Sequence, residues 1–204
     1  MGRAIANIPH WLENEVEDYF RFASFESSPR LILDIGANIG AFALRAHNQW
    51  PNAWILCYEP MPPNLDQLKK NISPDYGMVF PYAICGTSGV REIYIGDMFV
   101  TSGFVKGPRQ TSQKMAVQCL AAADLPVADL VKIDTEGSEV EILRGLNLST
   151  TSIIMLEHHS KTDAKLIKDM LTGDFRLVRD ESDREIGTMV FERLHLAERL
   201  KPRH

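Results

Sequence analysis

Short apolar runs alternate with helical stretches along most of this chain, and each central run ends on an acid. The runs 31–33, 53–58, 130–133 and 152–156 lead into Asp34, Glu59, Asp134, and Glu157 with His158. Between them, apolar residues recur at helical spacing over 39–50, at Leu65, Leu68 and Ile72, and over 138–146 and 163–171. Strands that alternate with helices of this length build βαβ units and a mostly parallel sheet. Right-handed crossovers then put helices on both faces. The pattern therefore predicts an α/β chain with a Rossmann-like, doubly wound sheet. Residues 175–178 and 188–191, joined by the charged turn 180–185, predict a closing antiparallel hairpin. Further strands are expected at 78–84, made irregular by Pro81, at 91–95 and at 115–120.

A chain of 204 residues suits one domain with a sizeable core. We expect a helix in segment 1–29, over 8–25, that packs on the domain edge. The catalytic domain is expected over 30–193, with a locally basic tail at 194–204. A net charge of −5 argues against non-specific nucleic-acid binding, which needs Lys and Arg gathered on one face. The longest apolar runs fall short of a bilayer span, and the N-terminal residues do not read as a secretory signal. Cys57, Cys85 and Cys119 are odd in number and lack metal-ligand spacing, which suggests reduced thiols and a cytoplasmic protein.

In an open α/β sheet, ligands bind beyond the carboxyl ends of the strands, where strand order switches. Asp34, Glu59, the Ala83 region, Asp134, Glu157 and His158 all fall at such ends. The turn Asp34-Ile35-Gly36-Ala37-Asn38-Ile39-Gly40 has glycines that let backbone turn sharply and approach a ligand. It lacks the Gly-rich pattern that cradles a pyrophosphate, so a nicotinamide oxidoreductase is disfavoured. An acid two residues before Gly36 suits a cationic amino group, such as that of a methionine moiety. Glu59 stands where an acid accepts hydrogen bonds from ribose hydroxyls. Together they favour S-adenosylmethionine. Residues 96–113 read as a loop long enough to carry function, with Ser102, Lys106 and Arg109 suited to a polar or anionic substrate.

Three segments together resemble the FkbM-type methyltransferases. They are Leu33 through Gly40; Tyr58-Glu59-Pro60 with Asn64, Leu68 and Asn71; and Val131-Lys132-Ile133-Asp134-Thr135-Glu136-Gly137-Ser138-Glu139 with Leu143-Arg144-Gly145. The similarity covers residues 30–159, and the last segment is the most specific. The resemblance implies a class I methyltransferase fold with a seven-stranded sheet. It also implies S-adenosylmethionine as methyl donor and a hydroxyl of a sugar or natural product as acceptor. It places Asp34 and Gly36 at the methionine end of the cofactor and Glu59 at its ribose, with Ala37, Asn38, Gly40, Pro60, Ala83 and Asp134 as further expected cofactor contacts. Asp134 and Glu136 fall beside the reacting centre, and Glu157 matches the acid after the fifth strand. Where the family often has Leu-Asp before the fourth strand, this chain reads Leu120-Ala121-Ala122-Ala123-Asp124.

A hydroxyl acceptor must lose a proton, and a positioned base contributes roughly 10²–10⁴-fold. His158 is the first expectation for that base because imidazole titrates near neutrality, with Asp134 and Glu136 as the others. His159 is expected on the opposite face. Two alternatives share the fold: methyl transfer to an amine, and a non-catalytic module that only binds the cofactor. The acids Asp134, Glu136 and Glu157, with His158, also suit a divalent ion that prefers oxygen ligands. The expected partner is a small molecule, with no nucleic acid or membrane; the oligomeric state is left open.

Overall fold

The computed structural model describes residues 8–21, 28–96, 102–104 and 110–195. Helix α1 (His10–Phe20) precedes β1 (Leu31–Ile35), α2 (Ala41–Gln49), β2 (Trp54–Tyr58), α3 (Pro62–Asn71) and β3 (Gly77–Phe80). Strands β4 (Ala83–Cys85), β5 (Gly89–Gly96) and β6 (Gln110–Ala121) follow. The chain then runs through β7 (Leu130–Ile133), α4 (Glu139–Gly145), β8 (Ile153–His158), α5 (Lys161–Leu171), β9 (Phe175–Asp180) and β10 (Gly187–Arg193). Residues 22–25 of the expected first helix, most of loop 96–113 and most of tail 194–204 lie outside the described residues. Among the described residues, no helix is long and apolar enough to cross a membrane.

Seven strands form one sheet in the order β3-β2-β1-β7-β8-β10-β9. The first five are parallel, and β10 runs antiparallel to both β8 and β9. Strand order therefore turns between β1 and β7, and the ligand-binding crevice of such a sheet opens there. Alternation along the strands sends Ile32, Ile55, Leu130, Met155 and Val190 into one core with α1, α2 and α3. It sends Leu33, Ile35, Val131, Ile133, Ile154 and Leu156 into a second core with α4 and α5.

The expected single strand over 78–84 is two strands in two sheets. Proline has no N–H to give to a ladder. Backbone pairing with β2 stops at Phe80, just before Pro81, and β4 then joins a separate three-stranded sheet in the order β4-β6-β5. That small sheet packs Ala83, Cys85, Ile93, Val117 and Cys119 against Met61 at the entry to α3. Its place brings β4 over the end of β2. The three cysteines are free and buried.

The β1–α2 turn shows why glycine stands at Gly36. Its φ is +75°, and a Cβ there would lie 1.7 Å from the carbonyl oxygen of Asp134. The N–H groups of Gly36 and Ala37 both donate to the Tyr58 carbonyl at 3.0 Å, so the turn is clamped between β2 and β7. Asn71 of α3 adds a third clamp, donating from Nδ2 to the Ile39 carbonyl at 2.7 Å. Gly36→Ala is expected to destabilise the fold by at least about 2 kcal/mol in urea denaturation, from a strained φ and a backbone clash together.

Candidate active site

Two cavities meet at the carboxyl ends of β1 and β7, and both are lined by Gly36, Asn38, Asp134 and Glu136. The first, about 70 Å³, extends past Glu59 and Pro60 toward Ala83 and Phe104. The second, about 290 Å³, extends under α1 and reaches Ala37, Lys132 and Glu157.

Glu59 ends the pairing of β2 and is held from three sides. Its Oε2 accepts the Asn38 N–H at 2.9 Å, and its Oε1 accepts the Met61 N–H at 2.8 Å and Asn64 Nδ2 at 3.4 Å. Asn38 can offer its N–H because it adopts a left-handed φ of 51°. Burial pushes Glu59 up to about 7, although the hydrogen bonds from Met61, Asn38 and Asn64 oppose the shift. The carboxyl is therefore poised between its two forms near neutrality, and donors from a ligand would favour the ionised one.

Asp34 and Lys132 are register partners on neighbouring strands, so their side chains leave the sheet on the same face. Both are almost completely buried. Lys132 Nζ lies 3.4 Å from Asp34 Oδ1 and 3.6 Å from Asp134 Oδ2, and it donates to the Gly36 carbonyl at 2.6 Å. This corrects the expectation that Asp34 meets the ligand. It lines neither cavity, because strand alternation turns it under the glycine turn, where Lys132 takes its charge. Gly40 also lines neither cavity. Its φ of +93° starts α2, and a Cβ there would press on Leu68 at 2.8 Å.

The structure separates the two histidines, as successive positions on a strand require. His158 continues the row Ile154–Leu156 into the second core. It is fully buried, its Nε2 meets the Glu181 carbonyl at 3.2 Å, and it lines neither cavity. His159, one residue past the strand, turns back among the acids. Its Nδ1 lies 3.0 Å from Glu139, and its Nε2 lies 3.2 Å from Glu157 and 3.5 Å from Glu136. Burial opposes a charge on this ring, but the hydrogen bonds to Glu139 and Glu157 prevail and push it up to about 11. Glu139 also accepts the Thr135 and Gly137 N–H groups and so fixes the loop that follows Asp134. For Glu139 itself, burial favours the neutral form, but the hydrogen bond and charge of His159 hold it below the ordinary carboxylate range. Asp134, Glu157 and His159 offer ligand atoms within 4.8 Å of one another, the spacing a divalent ion would need. Such an ion would have to displace the proton that His159 holds against three carboxylates.

Sequence reasoning missed Glu15 and Tyr19 of α1, which line the second cavity with Asp134 and Glu157. Glu15 is pushed up to about 7, by burial first and then by the charges of Asp134 and Glu157. Asp134 is raised to about 6, again by burial, with Lys132 lowering it and Glu157 raising it. The signal available for Glu15 was an acid set among Leu12, Val16 and Tyr19 on the apolar face of the first helix.

Comparison with known proteins now decides the family. The "Methyltransferase FkbM domain" matches residues 34–181. The chain belongs to this family. Two curated relatives are similar to this FkbM-family chain. It is 25% identical over 150 residues to "Hexuronic acid methyltransferase AglP" of Haloferax volcanii, covering 70% of this chain and 61% of that protein. It is 27% identical over 167 residues to "Methyltransferase sdnD" of Sordaria araneosa, covering 63% and 64%. The chain thus spans under two thirds of the length of these relatives. Among solved structures, an FkbM methyltransferase from Methylobacillus flagellatus superposes with a TM-score of 0.58 at 16% identity, over 83% of this chain and 44% of that one. A putative RNA methyltransferase from Pyrococcus horikoshii superposes with a TM-score of 0.54 at 13% identity, over 95% and 93%. These likenesses show the class I methyltransferase fold.

Folded Glu59 and Glu15 hold protons up to about 7, above the ordinary 4.5. A carboxyl raised by folding favours the folded state most at low pH, and that advantage is lost as pH climbs through the raised value. Melting temperature is therefore expected to fall between pH 4.5 and 7, and Glu59→Gln, which cannot ionise, should flatten part of that fall. Lys132→Met should destabilise by about 3–5 kcal/mol in urea at neutral pH, because it leaves Asp34 buried without its cation, to be carried unpaired or forced to take a proton.

Proposed function

We propose that this chain is an S-adenosylmethionine-dependent methyltransferase that acts on a hydroxyl of a small molecule such as a sugar or natural product. The observation that carries this reading is the pair of cavities joined at Gly36, Asn38 and Asp134, with buried Glu59 at one end and acids at the other. The residues fit such a cofactor. Asn38 Oδ1 is buried without a hydrogen-bond partner at the junction, an acceptor left for a ligand N–H or O–H. Gly36 lines both cavities with backbone alone.

When bound, S-adenosylmethionine supplies an electrophilic methyl group on a sulfonium. In this reading Glu59 holds the ribose hydroxyls, while Pro60, Ala83 and Phe104 flank the base. Gly36, Ala37 and Asn38 receive the methionine end, and Asp134, Glu136 and Glu157 face the acceptor. Much of the acceleration comes from holding the acceptor oxygen in line with the methyl carbon. Asp134 is the base we propose, because it lines both cavities and its carboxyl at about 6 can take a hydroxyl proton near neutral pH. Similarity to the hexuronic acid methyltransferase of Haloferax volcanii supports a small-molecule acceptor. Three free thiols fit a reducing compartment such as the cytoplasm.

Calorimetric titration with S-adenosylmethionine and S-adenosylhomocysteine tests the reading. Both should bind, and Glu59→Ala should weaken them roughly 10- to 150-fold, the value of a hydrogen bond to a charged group. A folded, ligand-free protein that binds neither would overturn it. Turnover that survives a strong chelator would exclude a divalent ion at Asp134, Glu157 and His159.

A further inference from the structure

The second cavity holds two polar groups, Glu15 and Tyr19, that the proposed reaction leaves unused. Its walls carry four carboxyl groups, from Glu15, Asp134, Glu136 and Glu157, against the single ammonium of Lys132. That ammonium is already committed to Asp34, Asp134 and the Gly36 carbonyl. The nearby imidazolium of His159 is committed to Glu136, Glu139 and Glu157. Glu15 accepts no hydrogen bond and forms no ion pair among the described residues. Tyr19 is 2% exposed and lines this cavity, and its buried hydroxyl has no hydrogen-bond partner.

Trp11, Glu15 and Tyr19 follow one another at four-residue spacing, so they form one row along α1. All three line the cavity, from exposed Trp11 at 48% to buried Tyr19. An unpaired carboxyl between an aromatic face and a phenol oxygen is a receptor for an ammonium group. The carboxylate and the phenol oxygen accept its N–H bonds, and the indole face attracts its charge. Among the described residues, a carboxylate on the acceptor would meet like charges beside this row and no uncommitted cation.

We infer that the acceptor is a hydroxyl compound bearing a protonated amine, which the Trp11–Glu15–Tyr19 row of α1 selects. This rests on the methyltransferase reading and names the substrate class of that same site. The protonated nitrogen has no lone pair, so it orients the molecule and leaves a hydroxyl to be methylated.

The test loads the protein with S-adenosylhomocysteine and titrates it calorimetrically with glucosamine, glucose and glucuronate. Glucosamine should bind about ten-fold or more tightly than glucose, and glucuronate most weakly. Glu15→Gln should erase the preference for glucosamine, and Tyr19→Phe should reduce it. S-adenosylhomocysteine affinity, measured on each variant, also reports that the variant is folded, and it should not change. Equal or undetectable binding of the three sugars overturns the inference, as does a preference that survives Glu15→Gln. If Glu15→Gln weakens S-adenosylhomocysteine instead, the row serves the cofactor and the inference falls. Failure of wild type to bind S-adenosylhomocysteine overturns the methyltransferase reading, and this inference with it.

Discussion

Lys132 holds a positive charge beside the apolar layers of the sheet, and the rest of the site is arranged around it. An isolated ammonium so deep would shed its proton. Here Asp34, Asp134 and the Gly36 carbonyl converge on it, and they come from the two strands and the turn that bound the crevice. The charge thus ties the first glycine turn to the end of β7. Its removal would leave two carboxyls without their cation and the turn without one of its anchors. Burial of Lys132 also explains why Asp34, the most conspicuous acid of the first motif, serves the architecture from beneath.

The same economy of charge governs the second ring of contacts. His159 collects Glu136, Glu139 and Glu157, and through Glu139 it holds the N–H groups of Thr135 and Gly137. Among the described residues, each cation in this crevice is therefore already neutralised by protein. The carboxyls left over, Glu59 in one cavity and Glu15 in the other, respond to burial by keeping protons to about 7. A ligand that brings hydrogen-bond donors or positive charge releases those protons and gains stronger partners. Selectivity for such ligands follows from which charges the fold leaves uncommitted, more than from the total count of acids.

Much of the fold was legible because its signals are local. Runs of apolar residues at strand length, breaks at Pro and Gly, and acids at the strand ends predict the parallel sheet and its mouth. Gly36, Asn38, Glu59, Pro60, Ala83, Asp134 and Glu136 do line the first cavity, and Ala37 and Glu157 the second. The histidines were misassigned for a local reason too. Alternation correctly separates residues 158 and 159, but it does not say which core the odd or even row enters, nor that the chain leaves the strand between them. Pro81 was seen as an irregularity, and only pairing with β6 shows that it divides two sheets.

By itself, the sequence determined the βαβ order, the glycine turn and the set of acids at the strand ends, because periodicity and turn chemistry act over a few residues. Tertiary structure decided what those acids do. Pairing of Asp34 with Lys132 depends on the register of two strands far apart in sequence. Glu15 reaches the crevice only because α1 folds back over α2 and the ends of β7 and β8. Charge acts through space, so the partner of each ionisable group, and hence its proton, is settled by packing and not by order along the chain.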